Sequence, residues 1–174
     1  MRRATNGEVL AIDPGPTDSG VVLYGDGQVW MAGTLPNRDV LALVRDASAP
    51  IIAVEMVASY GMPVGREVFE TCVWIGRLQQ ASPDPEAVRL VPRLAVKLHH
   101  CHSARATDAT IWRAILDRFG GPAAAKKGGP LAGVKSHARA ALALALTVAD
   151  GAGPGSATDS PSGGHDSGPS SLST

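Results

Sequence analysis

Val9-Leu10-Ala11-Ile12-Asp13 is an apolar run that ends in an acid, and Ile51-Ile52-Ala53-Val54-Glu55 repeats the pattern later in the chain. Short runs of this kind, rich in Val and Ile, predict buried strands. Ligands of open α/β sheets bind outside the carboxyl ends of the strands. If the two strands are parallel neighbours, Asp13 and Glu55 lie side by side at that edge. Two carboxylates placed in this way can share divalent cations.

Composition predicts a single domain with a flexible segment at each end. The chain has 174 residues, of which 44% are hydrophobic, enough for one core and too few for two. Residues 8–150 are expected to fold, whereas residues 1–7 and the Gly/Ser/Pro-rich residues 151–174 are expected to be flexible and disordered. No apolar stretch approaches the roughly 18 residues of a membrane span. With two cysteines and no apolar region behind the N-terminal arginines, we expect a cytoplasmic protein.

The first half of the chain reads as three consecutive strands, a helix and a fourth strand. The Gly25-Asp26-Gly27 turn predicts a hairpin between the second and third strands. The expected elements are strands over 8–13, 21–24 and 28–33, an amphipathic helix over 38–46 and a strand over 51–56.

The second half reads as mostly helical, with one more strand. The expected elements are a long helix over 64–80 that is ended by Pro83 and Pro85, a short strand over 94–98, a helix capped by Thr107 that runs to Phe119, and a buried helix over 138–149 capped by Ser136. The Gly/Ala/Lys-rich residues 121–134 predict a mobile connection. This order predicts an α/β fold in which a three-stranded antiparallel meander joins parallel strands, with helices on both faces of the mixed sheet.

Three stretches of the sequence resemble the RuvC-type Holliday junction resolvases of the ribonuclease H-like superfamily, in particular the phage and prophage variants. They are Ala11 to Gly15, Val54 to Met62 continuing to Trp74–Arg77, and Lys135 to His137 continuing to Ala141–Ala143. The resemblance covers most of residues 8–149.

The resemblance implies Mg²⁺-dependent cleavage of branched DNA, with Mn²⁺ as a substitute, by a homodimer of bacterial or phage origin. It implies no organic cofactor and no membrane partner. Members of the family use four metal-binding positions, which fall here on Asp13, Glu55, His137 and Ala140. Histidine occurs at the third position in some members, whereas a carboxylate is usual at the fourth. Ala140 is therefore the departure from the family's pattern.

Each candidate catalytic residue also has a structural interpretation. Asp13 could initiate the turn at Pro14-Gly15, and His137 could be satisfied by a backbone carbonyl. Asp108 is a weaker candidate metal ligand, because an acid beside Thr107 also suits the start of a helix. Glu55 is harder to explain structurally, since a glutamate that closes a buried Ile/Val run is costly unless something binds it.

Candidate DNA contacts lie in the loop after Glu55 and in the C-terminal part of the domain. Tyr60 could stack on an unpaired base or pack against the following helix. Basic side chains could track phosphates without reading bases, or form a solvated face: Lys97, Arg105, Arg113, Arg118, Lys126, Lys127, Lys135 and Arg139. The helix over 64–80 carries more apolar residues than one buried stripe needs, which favours a homodimer interface or burial on the sheet.

The stretch His99-His100-Cys101-His102 suggests a zinc site only weakly. On a strand, adjacent ligands point to opposite faces and cannot close on one ion. We expect instead an exposed stripe near phosphate.

Two other classes of function remain open at this point. One is a binding protein of the same fold that has lost catalysis, with Ala140 as its signature. The other is a kinase-like or actin-like nucleotide-binding domain, which opens with a similar Asp-x-Gly hairpin. The chain shows no second loop of that kind and is short for two lobes.

Overall fold

The computed structural model of the chain describes residues 7–49, 51–58, 61 and 63–151. Five α-helices and five strands build most of the described part of the domain. In chain order they are β1 (Val9–Asp13), β2 (Asp18–Gly25), β3 (Gln28–Pro36), α1 (Asn37–Arg45), β4 (Ile51–Met56), α2 (Arg66–Ala81), β5 (Arg89–Pro92), α3 (Arg93–Cys101), α4 (Asp108–Arg118) and α5 (His137–Ala149). The expected segments 1–7 and 151–174 lie almost entirely outside the described residues.

One mixed sheet of five strands, in the order β3-β2-β1-β4-β5, organises the domain. β1, β2 and β3 pair antiparallel, as the predicted meander requires, whereas β4 pairs parallel to β1 and β5 pairs parallel to β4. The β2–β3 turn has φ values of 51° at Asp26 and 75° at Gly27, which suits the two-residue hairpin turns that need positive φ at both positions.

Alternation along the strands separates two cores, one on each face of the sheet. Val9 and Ala11 face a cluster formed with α3, α4 and α5, which we call the α5-side core. Leu10 and Ile12 face the opposite cluster, to which α1 and α2 contribute. Successive strand residues point to opposite faces, so a run that is apolar throughout is buried on both sides. This confirms the predicted α/β fold with helices on both faces.

α5 is the central helix of one face. Ala141 to Val148 are all buried, and the helix packs against β1 to β4 as well as α3 and α4. Within the described ranges, no helix is long and apolar enough to cross a membrane.

The predicted strand over 94–98 is wrong. The strand is β5, which ends at Pro92, and residues 93–101 form α3. A short apolar run cannot be distinguished between strand and helix by its pattern alone. Here Val96 is buried against α5, while Leu98 is 44% exposed.

The segment over 121–134 is packed, which differs from the mobile connection that its composition predicts. It contains a short 3-10 helix, Pro122–Ala125, and it buries Ala124, Leu131 and Val134 in the α5-side core. The backbone N–H of Leu131 donates to the carbonyl of Ala124 at 2.9 Å. A few apolar anchors thus hold a segment whose overall composition is that of a loop.

Candidate active site

Asp13 and Glu55 lie at the same edge of the sheet and on the same face. β1 and β4 are parallel neighbours, with Ile12 paired to Val54, and each acid is the next residue of its strand. By alternation Asp13 shares a face with Ala11, and Glu55 shares a face with Ala53. Ala11 and Ala53 both belong to the α5-side core. The two carboxylates are therefore presented together toward the start of α5.

Buried polar contacts hold the loop that follows Asp13. Asn37, at the start of α1, donates from Nδ2 to the carbonyl of Gly15 at 2.9 Å, and it accepts from the hydroxyl of Ser19 at 2.6 Å. The Asn37 backbone N–H also donates to the carbonyl of Thr17 at 2.9 Å. This network fixes the loop between β1 and β2, and with it the end of β1.

His137 begins α5 and meets Asp13 directly. Its Nδ1 lies 3.2 Å from Asp13 Oδ2. Gly20, which pairs with Asp13 across the β1–β2 ladder, makes room for this approach. A Cβ on Gly20 would lie 2.3 Å from the His137 carbonyl oxygen, so a glycine is required there. Ser136 occupies the position before the helix, but its side chain makes no capping hydrogen bond, so the predicted cap is wrong.

Arg93 is the first residue of α3 and contacts two acids of the site. Its Nη1 donates to Glu55 Oε2 at 2.9 Å, and its Nη2 donates to Asp108 Oδ1. Glu55 and Arg93 are 13% and 19% exposed, respectively, whereas Asp108 is 86% exposed. Asp108 also lies in the first turn of α4 behind the Thr107 capping box. Asp108 therefore suits the start of α4, as its structural interpretation proposed, and it also lies beside the two acids of the site.

Both carboxyl groups at the strand ends are harder to ionise than usual. Burial raises the pKa of Asp13, against the hydrogen bond and charge of His137 and the charge of Arg93, which lower it. Burial likewise raises the pKa of Glu55 to about 7, although Arg93 opposes that rise, and the negative charge of Asp13 adds to it. Desolvation of the charged form is therefore the largest effect on both carboxyls.

The acids line a cleft of about 400 Å³ that opens at the end of the sheet. Residues around it include Asp13, Glu55, Glu67, Arg93, Asp108, His137 and Ala140. An adjoining cavity of about 420 Å³ extends from Asp13 past Ala140 to Trp112 and Arg139. The Arg139 guanidinium lies over the Trp112 ring, 4.5 Å from its centroid. Ala140 lines both spaces, so the small side chain leaves room where the resemblance implies a carboxylate.

The donor chemistry of this cleft fits one divalent cation. Asp13 and Glu55 supply the hard oxygen ligands that Mg²⁺ prefers, and a cation bound between them would favour the ionised form of both buried carboxyls. Among the described residues, however, no group of three or more His, Cys, Asp or Glu side chains is already arranged to hold a metal ion. The predicted ligand set of Asp13, Glu55, His137 and Asp108 stays a prediction.

The predicted DNA-contacting residues are distributed around this end of the domain and beyond it. Tyr60 lies outside the described residues. Arg139 lines the cavity beside Asp13. Arg118 is bound to Asp150 through two hydrogen bonds. The other basic candidates that are exposed are Arg105, Arg113, Lys126, Lys127 and Lys135, and Lys97 is half-buried.

His99, His100 and Cys101 form the end of α3 and His102 follows it, so the strand-based interpretation is wrong. His99 Nε2 lies 2.9 Å from Asp150 Oδ2, and His100 Nε2 lies 2.9 Å from the Ala143 carbonyl oxygen. Burial lowers the pKa of His100. These two histidines connect α3 to α5 and do not form an exposed stripe.

Two residues of the site were missed by sequence reasoning. Arg93 comes directly after the last residue of β5, at the same edge of the sheet as Asp13. Because the sequence analysis placed that strand over 94–98, this position of Arg93 was not recognised. Gly20 carries no local signal beyond its place in the turn-rich segment after Asp13, because its constraint comes from α5.

No protein-family model matches the sequence, and no curated protein sequence matches it. Solved structures do match. Thermus thermophilus RuvC in complex with a Holliday junction substrate has a TM-score of 0.62 and 18% identity, with 84% of this chain and 97% of that chain covered. A further Thermus thermophilus RuvC structure has a TM-score of 0.57 and 18% identity, with 83% and 95% covered. The chain therefore has the fold of RuvC, a ribonuclease H-like α/β domain built on a mixed sheet.

Proposed function

We propose that this protein is a metal-dependent endonuclease that hydrolyses phosphodiester bonds in branched DNA, in the manner of a Holliday junction resolvase. One observation carries the proposal: Asp13 is the last residue of β1, Glu55 is the second-last residue of the parallel neighbour β4, and both line one cleft. The fold adds support, because a solved structure that shares it is in complex with a Holliday junction substrate. Fold by itself does not determine function, so the acid pair is essential to the argument.

Asp13 and Glu55 are the residues that would hold a Mg²⁺ or Mn²⁺ ion, with His137 as a third ligand or as a base. A bound divalent cation would ready a water for attack and stabilise the charge that develops on the phosphate. Asp13 accepts from the Nδ1–H of His137 in the tautomer that the 3.2 Å contact favours. Nε2 then carries the lone pair, so a proton of the attacking water could be accepted there.

DNA would be held mainly by charge at the margin of the cleft. Arg139 is already oriented by Trp112, and Lys135 lies two residues before His137. Phosphate contacts of this kind position a duplex without reading its sequence. Tyr60, five residues after Glu55 in the sequence, remains a proposed stacking residue.

A homodimer is part of the proposal. Phe69 and Val73 lie one helical turn apart on α2 and are 62% and 54% exposed. Neighbouring exposed apolar side chains of this size favour a protein partner, and a two-fold dimer would use the same face of both copies. Two active sites could then act on opposite arms of one junction.

The deciding experiment measures nicking of a synthetic four-way junction in Mg²⁺, with a linear duplex of the same sequence as the control substrate. Asp13→Asn and Glu55→Gln are expected to abolish cleavage while junction binding, measured by gel shift, persists. Asp117→Asn is the matched control, because Asp117 is exposed at the far end of α4 from Asp108. Normal cleavage by either site variant, or cleavage that survives EDTA, would contradict the proposal.

A second candidate function rests on Ala140. If the alanine leaves the cleft one carboxylate short, the protein would bind branched DNA without cutting it at an ordinary rate. Junction binding by the unmodified protein without nicking in Mg²⁺ or Mn²⁺ would favour this candidate.

A further inference from the structure

Arg93 is a positive charge of the protein's own, placed inside the acidic cleft. Its side chain is 19% exposed and bridges Glu55, which is equally enclosed, and Asp108, which is not. The two contacts use different nitrogens, Nη1 for Glu55 and Nη2 for Asp108. Arg93 therefore neutralises part of the charge that a divalent cation would neutralise.

A cation that binds Glu55 through Oε2 and the Arg93 guanidinium compete for that oxygen atom. Glu55 has Arg93 as its ion-pair partner at 2.9 Å, and the guanidinium fork blocks the approach of an ion to Oε2. Because arginine stays protonated at any ordinary pH, it cannot release Glu55 by losing a proton. The contact can be broken only by movement of the side chain.

Asp108 can hold the Arg93 guanidinium after it leaves Glu55. It lies on the exposed first turn of α4 and binds the other nitrogen of the same guanidinium. If Glu55 is taken by a cation, Arg93 can stay bound to Asp108 at the margin of the cleft. A guanidinium held there is also well suited to a phosphate oxygen, which it can bind in a bidentate manner.

We propose that Arg93 is a positioning residue that holds Glu55 in the metal-free protein, competes with the divalent cation for it, and is left bound to Asp108 alone when the cation binds. This inference rests on the proposed function, because it requires that the cleft takes a divalent cation. It assigns a role to a residue that the family resemblance did not point to.

The first test measures Mn²⁺ affinity by electron paramagnetic resonance, without any DNA or turnover. Arg93→Gln removes the positive charge that competes with the cation for Glu55. Mn²⁺ should therefore bind more tightly by roughly tenfold or more, because charges interact strongly in an enclosed site. Arg93→Lys keeps the charge and is expected to return the affinity close to that of the wild type.

The matched control is Arg139→Gln, which removes an equal charge from the lining of the adjoining cavity. The Arg139 guanidinium stacks on the Trp112 ring and lines the adjoining cavity, whereas Arg93 contacts Glu55 directly. Arg139→Gln should therefore change the Mn²⁺ affinity by only about threefold or less, as a more distant and better-solvated charge does. Equal tightening by both variants would overturn the inference, since the effect would then be general electrostatics.

A second measurement needs no variant and covers the case in which Arg93→Gln does not fold. Mg²⁺ is titrated into the ¹⁵N-labelled wild-type protein while the Arg93 guanidinium signals are followed by NMR. The inference expects these signals to shift in step with Mg²⁺ binding. Unchanged Arg93 signals at saturating Mg²⁺ would overturn it.

Different results would contradict the role of Arg93 and the proposed function. If Arg93→Gln binds Mn²⁺ no more tightly than the wild type, while the wild type cuts junctions normally, only the role of Arg93 is wrong. If no variant binds a divalent cation and none cuts DNA, the proposed function itself is wrong.

Discussion

Glu55 should make the stability of the metal-free protein fall as the pH rises from about 4.5 to about 7. Burial raises the pKa of this carboxyl from 4.5 to about 7 in the folded protein. Between those values the folded protein retains a proton that the unfolded chain has lost. Stability decreases with pH wherever the folded state binds more protons. The sign is therefore opposite to that of an acid stabilised by a salt bridge.

The magnitude follows from the size of that difference in pKa. One pKa unit corresponds to about 1.4 kcal/mol, so the free energy of unfolding should fall by about 3 kcal/mol across the window. Glu55→Gln removes the titrating group and with it this part of the pH dependence. The substitution also leaves Arg93 with Asp108 as its remaining acid partner. The loss of stability from that change is present at every pH in the window. The difference between the two pH profiles therefore isolates Glu55.

The assay is urea unfolding in EDTA at several pH values between about 4.5 and 8, followed by the fluorescence of the three tryptophans. Wild type is compared with Glu55→Gln, and Asp117→Asn serves as a control for the loss of one exposed charge. Adding saturating Mg²⁺ should remove most of the difference, because a bound cation stabilises the ionised carboxylate.

Parallel profiles for wild type and Glu55→Gln, within about 0.5 kcal/mol, would refute the reasoning. A wild type that gains stability relative to Glu55→Gln as the pH rises would refute it as well. The second result would mean that Arg93 outweighs burial and that the site already has its full complement of positive charge.

Three further predictions concern the surroundings of the acid pair. Gly20→Ala should destabilise the protein by about 1–3 kcal/mol and slow cleavage, because the new Cβ would clash with the His137 carbonyl. Gly33→Ala is the control, since a Cβ there meets nothing within 4 Å, and equal unfolding midpoints for the two variants would contradict the prediction. Ala140→Asp should tighten Mn²⁺ binding and raise the nicking rate by about tenfold or more, as measured on the four-way junction; an unchanged rate would show that the cleft does not lack a carboxylate. Phe69→Glu should convert a dimer to a monomer in sedimentation experiments by placing a charge in an apolar interface, and an unchanged sedimentation coefficient would exclude α2 as that interface.

Local patterns were enough for the elements that carry strong signals. The Asp26-Gly27 turn, the all-apolar strands and the proline break after α2 predicted the meander, the buried sheet and the end of that helix, and all three are confirmed. Thr107 was likewise placed correctly as a cap. Each of these features depends on a few residues that are adjacent in sequence, so no distant contact is needed to interpret them.

Sequence patterns gave wrong predictions where the same residues are compatible with two different local structures. The apolar residues from Leu94 to Leu98 suit a strand as well as a helix, and only packing of Val96 against α5 selects the helix. Residues 121–134 have the composition of a loop, yet Leu131 and Val134 are anchored in the core. Ser136 has the right residue type for a cap, but its backbone turns with φ of 46° and its side chain makes no capping bond.

The amino-acid sequence by itself determined the strands β1 to β4 and the acids near the carboxyl ends of β1 and β4, because short apolar runs and turn residues mark those strands locally. The tertiary structure alone decided which charges meet those acids. Arg93 reaches Glu55 from 38 positions away, and His137 reaches Asp13 from 124 positions away. Such contacts depend on where whole helices settle on the sheet, and side-chain packing over the entire core determines that placement.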